Sequence, residues 1–150
     1  MEHFESAEEV LDFAIERETE SHDFYMKLAE RMDKPVMRKV FEDFATEELG
    51  HKAKLEAAKH GDILLGQQEV QGLGIADYVV EVEAQPDMDY ADALVVAMKK
   101  EKAAYRLYLD LAKVAETEEL TDMFLSLAQE EAKHKLRFEI EYDDVVLKED

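Results

Sequence analysis

The chain carries an internal repeat at a constant offset of 83 residues, and this repeat restricts the fold more than any other feature. Glu18, Glu48 and His51 recur as Glu101, Glu131 and His134, each pair 83 positions apart (101−18, 131−48 and 134−51). The same offset aligns Leu11 with Leu94, Ala14 with Ala97, Tyr25 with Tyr108, Leu28 with Leu111, Ala29 with Ala112, Phe41 with Phe124, Ala45 with Ala128, and Leu55 with Phe138. Polar residues that keep step with an apolar pattern in both halves belong to a duplicated structural unit. The expectation is two copies of one unit related by an approximate two-fold axis.

Each unit reads as a pair of helices. At 150 residues the chain fits a single domain with a sizeable core, and 37% charged residues with only five Gly and two Pro favour long helices over sheets. Ser6 followed by Glu9 resembles a capping box, and Val10, Leu11, Ala14, Ile15, Tyr25, Leu28 and Ala29 then recur at helical spacing. This predicts a first helix over about 6–32. Pro35 suits the first turn of a second, whose stripe runs through Val40, Phe41, Phe44, Ala45, Leu55 and Ala58 to Gly61. Asp89 can cap a third helix carrying Leu94, Ala97, Met98, Tyr108, Leu111 and Ala112. Thr117 or Thr121 can open a fourth, with Phe124, Leu127, Ala128, Phe138, Ile140 and Val145. Four of the five glycines and Pro86 fall in 61–88, together with an apolar run from Ile75 to Val82 long enough for one or two helical turns. The predicted fold is all-α: a four-helix bundle of two hairpins, about 6–60 and 89–148, joined by a long crossover over 61–88.

The repeated polar residues stand in the apolar stripes. Glu18 lies four residues after Ala14 and seven before Tyr25, Glu48 follows Phe44 by four, and His51 precedes Leu55 by four. The second half repeats this with Glu101 between Ala97 and Tyr108, Glu131 after Leu127, and His134 before Phe138. Six polar groups are therefore aimed at the interior. Carboxylates there lose hydration and repel one another, and divalent cations remove both costs. A Glu-x-x-His pair places both side chains on one helix face within reach of one ion. Four carboxylates balance two divalent charges. The expected assignment is Glu48 and Glu131 bridging, Glu18 with His51 completing one metal, and Glu101 with His134 the other. Such donors suit iron or manganese, and zinc is also accepted on affinity.

At these residues the chain resembles the rubrerythrin-like branch of the ferritin-like superfamily. The matching motifs are Glu18 to Tyr25 with Ala29, Glu48-Leu-Gly-His51, Glu101 to Tyr108 with Ala112, and Glu131-Ala-Lys-His134. The resemblance covers nearly everything except the crossover. It implies a ferritin-like bundle, two iron ions per chain, and an oxidoreductase that reduces peroxide or oxidises Fe²⁺ with dioxygen or peroxide. It also implies that Tyr25 and Tyr108 hydrogen-bond metal-binding carboxylates, and it is compatible with a homodimer. Two positions depart from the pattern. Rubrerythrins carry a rubredoxin module on four cysteines, and here there is no cysteine, so electrons are expected from a separate donor protein such as a rubredoxin. They also carry a further glutamate three positions after the first Glu of the third helix, where this chain has Ala104, and another glutamate where it has His134. Two readings from other classes stand beside the enzyme: an iron-binding or storage-related protein with little turnover, and a structural helical module.

Composition removes several partners. A formal net charge of −20 repels a phosphate backbone, and no Lys/Arg-dense patch offers a nucleic-acid footprint. Apolar runs such as Ala93 to Met98 are far shorter than the roughly 20 residues that span a bilayer. The start, Met-Glu-His-Phe-Glu, lacks the basic and apolar regions of a signal peptide, so a cytoplasmic protein is expected. His22 follows Glu18 by four, but its repeat counterpart is Tyr105, which points to a rim or surface role; His3 and His60 are expected on the surface. The acidic runs Glu116–Glu119 and Glu139–Asp144 read as solvent-facing, and Met26, Met32, Met37, Met98 and Met123 as core filler.

Overall fold

Ser6 starts the first helix as expected. Its hydroxyl accepts a hydrogen bond from the Glu9 N–H at 3.1 Å, satisfying one donor that the helix N-terminus leaves open. Glu8 and Glu9 add negative charge at the positive end of the helix dipole. The computed structural model of the chain describes residues 3–61, 65–80 and 88–149, with residues 148 and 149 described by backbone alone. Within it α1 spans Ala7–Glu30 and α2 spans Pro35–His60, with Pro35 in the first turn, where its missing N–H costs nothing. The two helices pack along each other. Met37, Phe41, Ala45, Glu48, His51 and Leu55 are the buried row of α2, spaced by three and four residues. Tyr25 meets Phe44 edge-on with ring centroids 6.4 Å apart. Across the short turn, Arg38 Nε donates to the Ala29 carbonyl at 3.3 Å.

The second hairpin follows the same plan. Helix α4 spans Tyr90–Val114 and α5 spans Glu118–Glu149. The short helix Gln67–Gln71 in the connection is α3. Of the two threonines expected to open α5, Thr117 does so: its Oγ1 accepts from the Leu120 N–H at 3.2 Å. Thr121 Oγ1 instead donates to the carbonyls of Thr117 and Ala112, tying the turn together. Asp89 occupies the N-cap of α4 without a side-chain capping bond. Tyr108 stacks on Phe124, with ring centroids 6.4 Å apart and ring planes at 15°. Tyr90 donates to Glu141 at 3.1 Å, which fixes the register of the hairpin near the start of α4.

Two compact units result, one formed by His3–Leu73 and the other taking in the chain from Gly74. The connection is divided between them. In the first unit α3 leans on α1, and the Phe4 N–H donates to the Leu73 carbonyl at 3.3 Å. Gln71 Nε2 donates to the Glu5 carbonyl at 3.2 Å. In the second, a single 3₁₀ turn at Ile75–Tyr78 packs on α4, and the Tyr78 hydroxyl donates to Asp110 at 2.6 Å. The turn falls inside the apolar run singled out in the sequence, whereas α3 was not anticipated: in Gln-Gln-Glu-Val-Gln only Val70 is buried, so no stripe marks it. Val82 and Pro86 lie outside the described residues.

Two apolar positions differ from the expected core. Met26 and Ile140 are exposed. Met26 follows the buried Tyr25 by one residue, about 100° round the helix, and Ile140 follows the buried Phe138 by two, about 200° round. Among the described residues there are five α-helices, no β-strand, and no helix long and apolar enough to cross a membrane.

Candidate metal centre

The helical rows deliver all six repeated polar residues to the interior. Glu18, Glu48, His51, Glu101, Glu131 and His134 are each 3% exposed or less. In α1 the row Leu11, Ala14, Glu18, Ser21, Tyr25, Leu28 places Glu18 among apolar neighbours, and in α2 Glu48 and His51 sit between Ala45 and Leu55. In α4 Glu101 lies in the row from Leu94 and Ala97 to Tyr108.

Each hairpin assembles one triad. In the first, His51 Nδ1 lies 3.2 Å from Glu18 Oε2 and 3.5 Å from Glu48 Oε1. In the second, His134 Nδ1 lies 3.6 Å from Glu101 Oε2 and 3.7 Å from Glu131 Oε1. The repeat is thus kept down to the ring nitrogen, Nδ1, that faces both carboxylates. One donor atom each of Glu18, Glu48 and His51 lies within 4.8 Å of the other two, and the same holds for Glu101, Glu131 and His134.

Charge decides what such a triad can hold. Two buried carboxylates and one imidazole carry a net charge of −2, or −1 with the imidazole protonated, and either is costly away from water. One divalent cation neutralises the pair of carboxylates. Two donors sharing an ion at about 2.1 Å stand roughly 3.0 to 3.6 Å apart for angles of about 90 to 120°. The observed Nδ1 to Oε separations of 3.2 to 3.7 Å are of that size. A mixed carboxylate and imidazole set without thiolate fits iron, manganese or zinc.

The other singled-out residues fall as follows. Tyr25 and Tyr108 are buried against Phe44 and Phe124. Each lies seven residues, about 10.5 Å along its own helix, from Glu18 or Glu101. His22 is partly exposed with Nδ1 3.0 Å from Asp23 Oδ1, outside the triad, and His3 and His60 are exposed. Glu116, Glu118, Glu119, Asp143 and Asp144 face solvent, as expected for the acidic runs. Sequence reasoning missed Ser21, which is buried three residues after Glu18 while its counterpart Ala104 is only partly so. It also missed Tyr78, whose phenol is pushed well above its ordinary pKa, first by burial and then by its hydrogen bond to Asp110.

A sequence model of the rubrerythrin family matches residues 9–86 and 92–150, and so includes both triads. The chain belongs to the rubrerythrin family. Two solved structures place its fold. A Thermotoga maritima protein described as ferritin-like and diiron-carboxylate superposes with a TM-score of 0.81 at 20% identity, over 97% of this chain and 99% of that one. A hypothetical protein of Pyrococcus furiosus superposes with a TM-score of 0.71 at 27% identity, over 91% and 87%. This rubrerythrin-family chain therefore has the all-α ferritin-like fold. No curated protein matches it.

Proposed function

We propose that this rubrerythrin-family chain is a cytoplasmic di-iron oxidoreductase that reduces peroxide or oxidises Fe²⁺ with dioxygen or peroxide. The observation that carries the reading is the pair of buried Glu, Glu, His triads with the same atoms facing one another in both hairpins. The description of the Thermotoga maritima relative as diiron-carboxylate supports iron over manganese or zinc. Glu18, Glu48 and His51 would hold one ion, and Glu101, Glu131 and His134 the other. Bound as a pair, iron supplies two redox equivalents and open coordination positions for an oxidant.

The protein's own part is electrostatic and steric. Each pair of carboxylates would cancel one divalent charge, and each imidazole presents Nδ1 toward both carboxylates, so Nδ1 is the nitrogen that would bind the ion, in its unprotonated form. The apolar rows around the triads limit water at the reacting centre. Tyr25 and Tyr108 are assigned to hydrogen-bonding, and so steadying, the metal-binding carboxylates. With no cysteine in the chain, electrons for repeated turnover come from a separate donor protein such as a rubredoxin.

Ala104 favours a second reading. It stands where the resemblance to rubrerythrins calls for a further glutamate, and an iron-binding protein with little turnover has no need of one. The two readings separate on protein purified without oxygen and analysed for metal, with absorption spectra before and after hydrogen peroxide. About two irons per chain, a new near-ultraviolet band and steady peroxide consumption with a reductant are expected of the enzyme. Consumption that stops after about one turnover per site indicates the storage reading. Zinc or no metal, with no spectral response after anaerobic Fe²⁺ loading and peroxide, refutes both.

A further inference from the structure

Tyr78 is a phenol buried away from the triads that already holds a proton acceptor. It is 3% exposed, and its hydroxyl donates to Asp110 Oδ2 at 2.6 Å, the length of a bond to an ionised oxygen. Tyr90, the other tyrosine seen to donate to a carboxylate, is less buried and lies 3.1 Å from Glu141. Burial, then the bond to Asp110, then the charges of Asp110 and Asp77 hold the proton on the Tyr78 oxygen, with Arg106 acting weakly the other way. The hairpin plan does not call for this pair. Tyr78 belongs to the connection, and the first hairpin carries Lys27 where the second carries Asp110 (110−83).

A phenol yields an electron readily only if its proton leaves with it, because the oxidised phenol is a very strong acid. A base within hydrogen-bond reach takes that proton without any heavy atom moving. The chain has neither Trp nor Cys, so tyrosine is its most easily oxidised residue type in one-electron steps. We propose, resting on the di-iron oxidoreductase reading above, that Tyr78 and Asp110 form a one-electron reserve for the ion held by Glu101, Glu131 and His134. The Tyr78 O–H bond breaks, the proton passes to Asp110 Oδ2, and one electron passes to the ion that peroxide has oxidised. Tyr78 is left as a neutral phenoxyl radical, and one electron from the separate donor protein, with the proton returned by Asp110, restores it.

Position suits this role. Asp110 lies nine residues beyond Glu101 on α4, about 13.5 Å along the axis, and the buried Tyr108 stands between them at about 10.5 Å. Electrons tunnel through packed protein over steps of this size. The phenol itself is shielded from solvent, which prolongs a radical there, while the Asp110 side chain is 25% exposed and can exchange its proton with water.

Flash photolysis with a photogenerated ruthenium(III) oxidant tests the pair on metal-free protein, so this arm does not depend on iron. The native chain is expected to give a long-lived phenoxyl absorption that forms more slowly in heavy water. Y78F, which keeps the ring and should keep the native circular dichroism, loses most of that absorption, and Y90F retains it. D110N keeps a hydrogen-bond acceptor without the base, and phenoxyl formation slows by about 10²-fold. In a second arm, Fe²⁺-loaded protein receives peroxide without reductant, and electron paramagnetic resonance should show a phenoxyl signal in the native chain and Y90F but not in Y78F. If the bond merely fastens the turn to α4, metal-free Y78F and D110N will match the native yield and rate, which overturns the proposal. A protein that holds iron and responds spectrally to peroxide, yet gives no Tyr78-dependent phenoxyl, overturns it as well. A chain that takes up no iron refutes the di-iron reading and the electron's destination with it, whereas the photolysis still decides whether Tyr78 and Asp110 act as a redox pair.

Discussion

Replacing Glu48 by Gln should shift stability in opposite directions with and without metal. Glu48 is fully buried, and its ligand oxygen lies within 4.8 Å of that of Glu18. Two negative charges at that separation repel by about 3.5 kcal/mol at an effective dielectric constant of about 20. His51, with Nδ1 3.2 and 3.5 Å from the two carboxylates, offsets part of this when protonated. Burying the amide of Gln takes back about 1 kcal/mol. The metal-free E48Q protein should therefore be about 1 to 3 kcal/mol more stable than the native one, and its melting point higher by roughly 2 to 10 °C for a domain of this size. With Fe²⁺ bound the order reverses, because the variant lacks one of the two charges that balance the cation and one donor, and ligand binding stabilises only in proportion to affinity. Far-ultraviolet circular dichroism melts of chelator-treated and anaerobically Fe²⁺-loaded protein measure both, and E131Q should behave alike because its triad repeats the geometry. A metal-free E48Q protein that melts below the native one, or Fe²⁺ that raises both melting points equally, would refute the argument that the triads are held against their own repulsion for the sake of an ion.

Two further outcomes follow from particular contacts. Gly50 sits inside α2, exposed and with nothing within 4 Å of where a Cβ would be. G50A should gain about 0.8 to 1 kcal/mol in urea unfolding, and a loss would mean the site opposes a side chain there. Tyr78 has a folded pKa raised above its ordinary value of 10.0. The stability this confers is complete below about pH 10 and is lost as pH rises from there through the folded pKa. Urea midpoints measured at about pH 8 and about pH 11 should fall steeply for the native chain and less for Y78F. Equal slopes would show that Tyr78 ionises alike in both states.

The hairpins were legible because their signals are local. Ser6 before Glu9 and Pro35 in a first turn act within a few residues, and the rows through Glu18 and Tyr25 or Glu48 and Leu55 depend only on the 3.6-residue period. Met26 and Ile140 are apolar but stand one or two steps off the row, and the helix turns them outward, so residue type alone does not place them. The connection was less legible because its contacts are long-range. Nothing in Gln67–Gln71 marks a helix; it is secured by the Phe4 to Leu73 and Gln71 to Glu5 bonds, and Tyr78 finds Asp110 32 residues away.

The candidate site drew on both kinds of signal. A single Glu-x-x-His on a Glu-rich helix is ambiguous, since solvated acidic faces produce the same spacing. Duplication removes that ambiguity: a surface pattern has no reason to keep Glu18, Glu48 and His51 in the apolar row of one hairpin and Glu101, Glu131 and His134 in that of the other. The structure adds that in both copies the imidazole Nδ1 faces both carboxylates of its triad. Ion pairing alone does not require this, because one histidine cannot neutralise two carboxylates. A divalent ion accounts at once for the charge, the burial and the recurrence of the geometry. What breaks the symmetry lies beside the triads: Ser21 is buried three residues after Glu18, while Ala104 occupies the matching position after Glu101. A hydroxyl on one side and a methyl on the other would give two bound ions unequal surroundings.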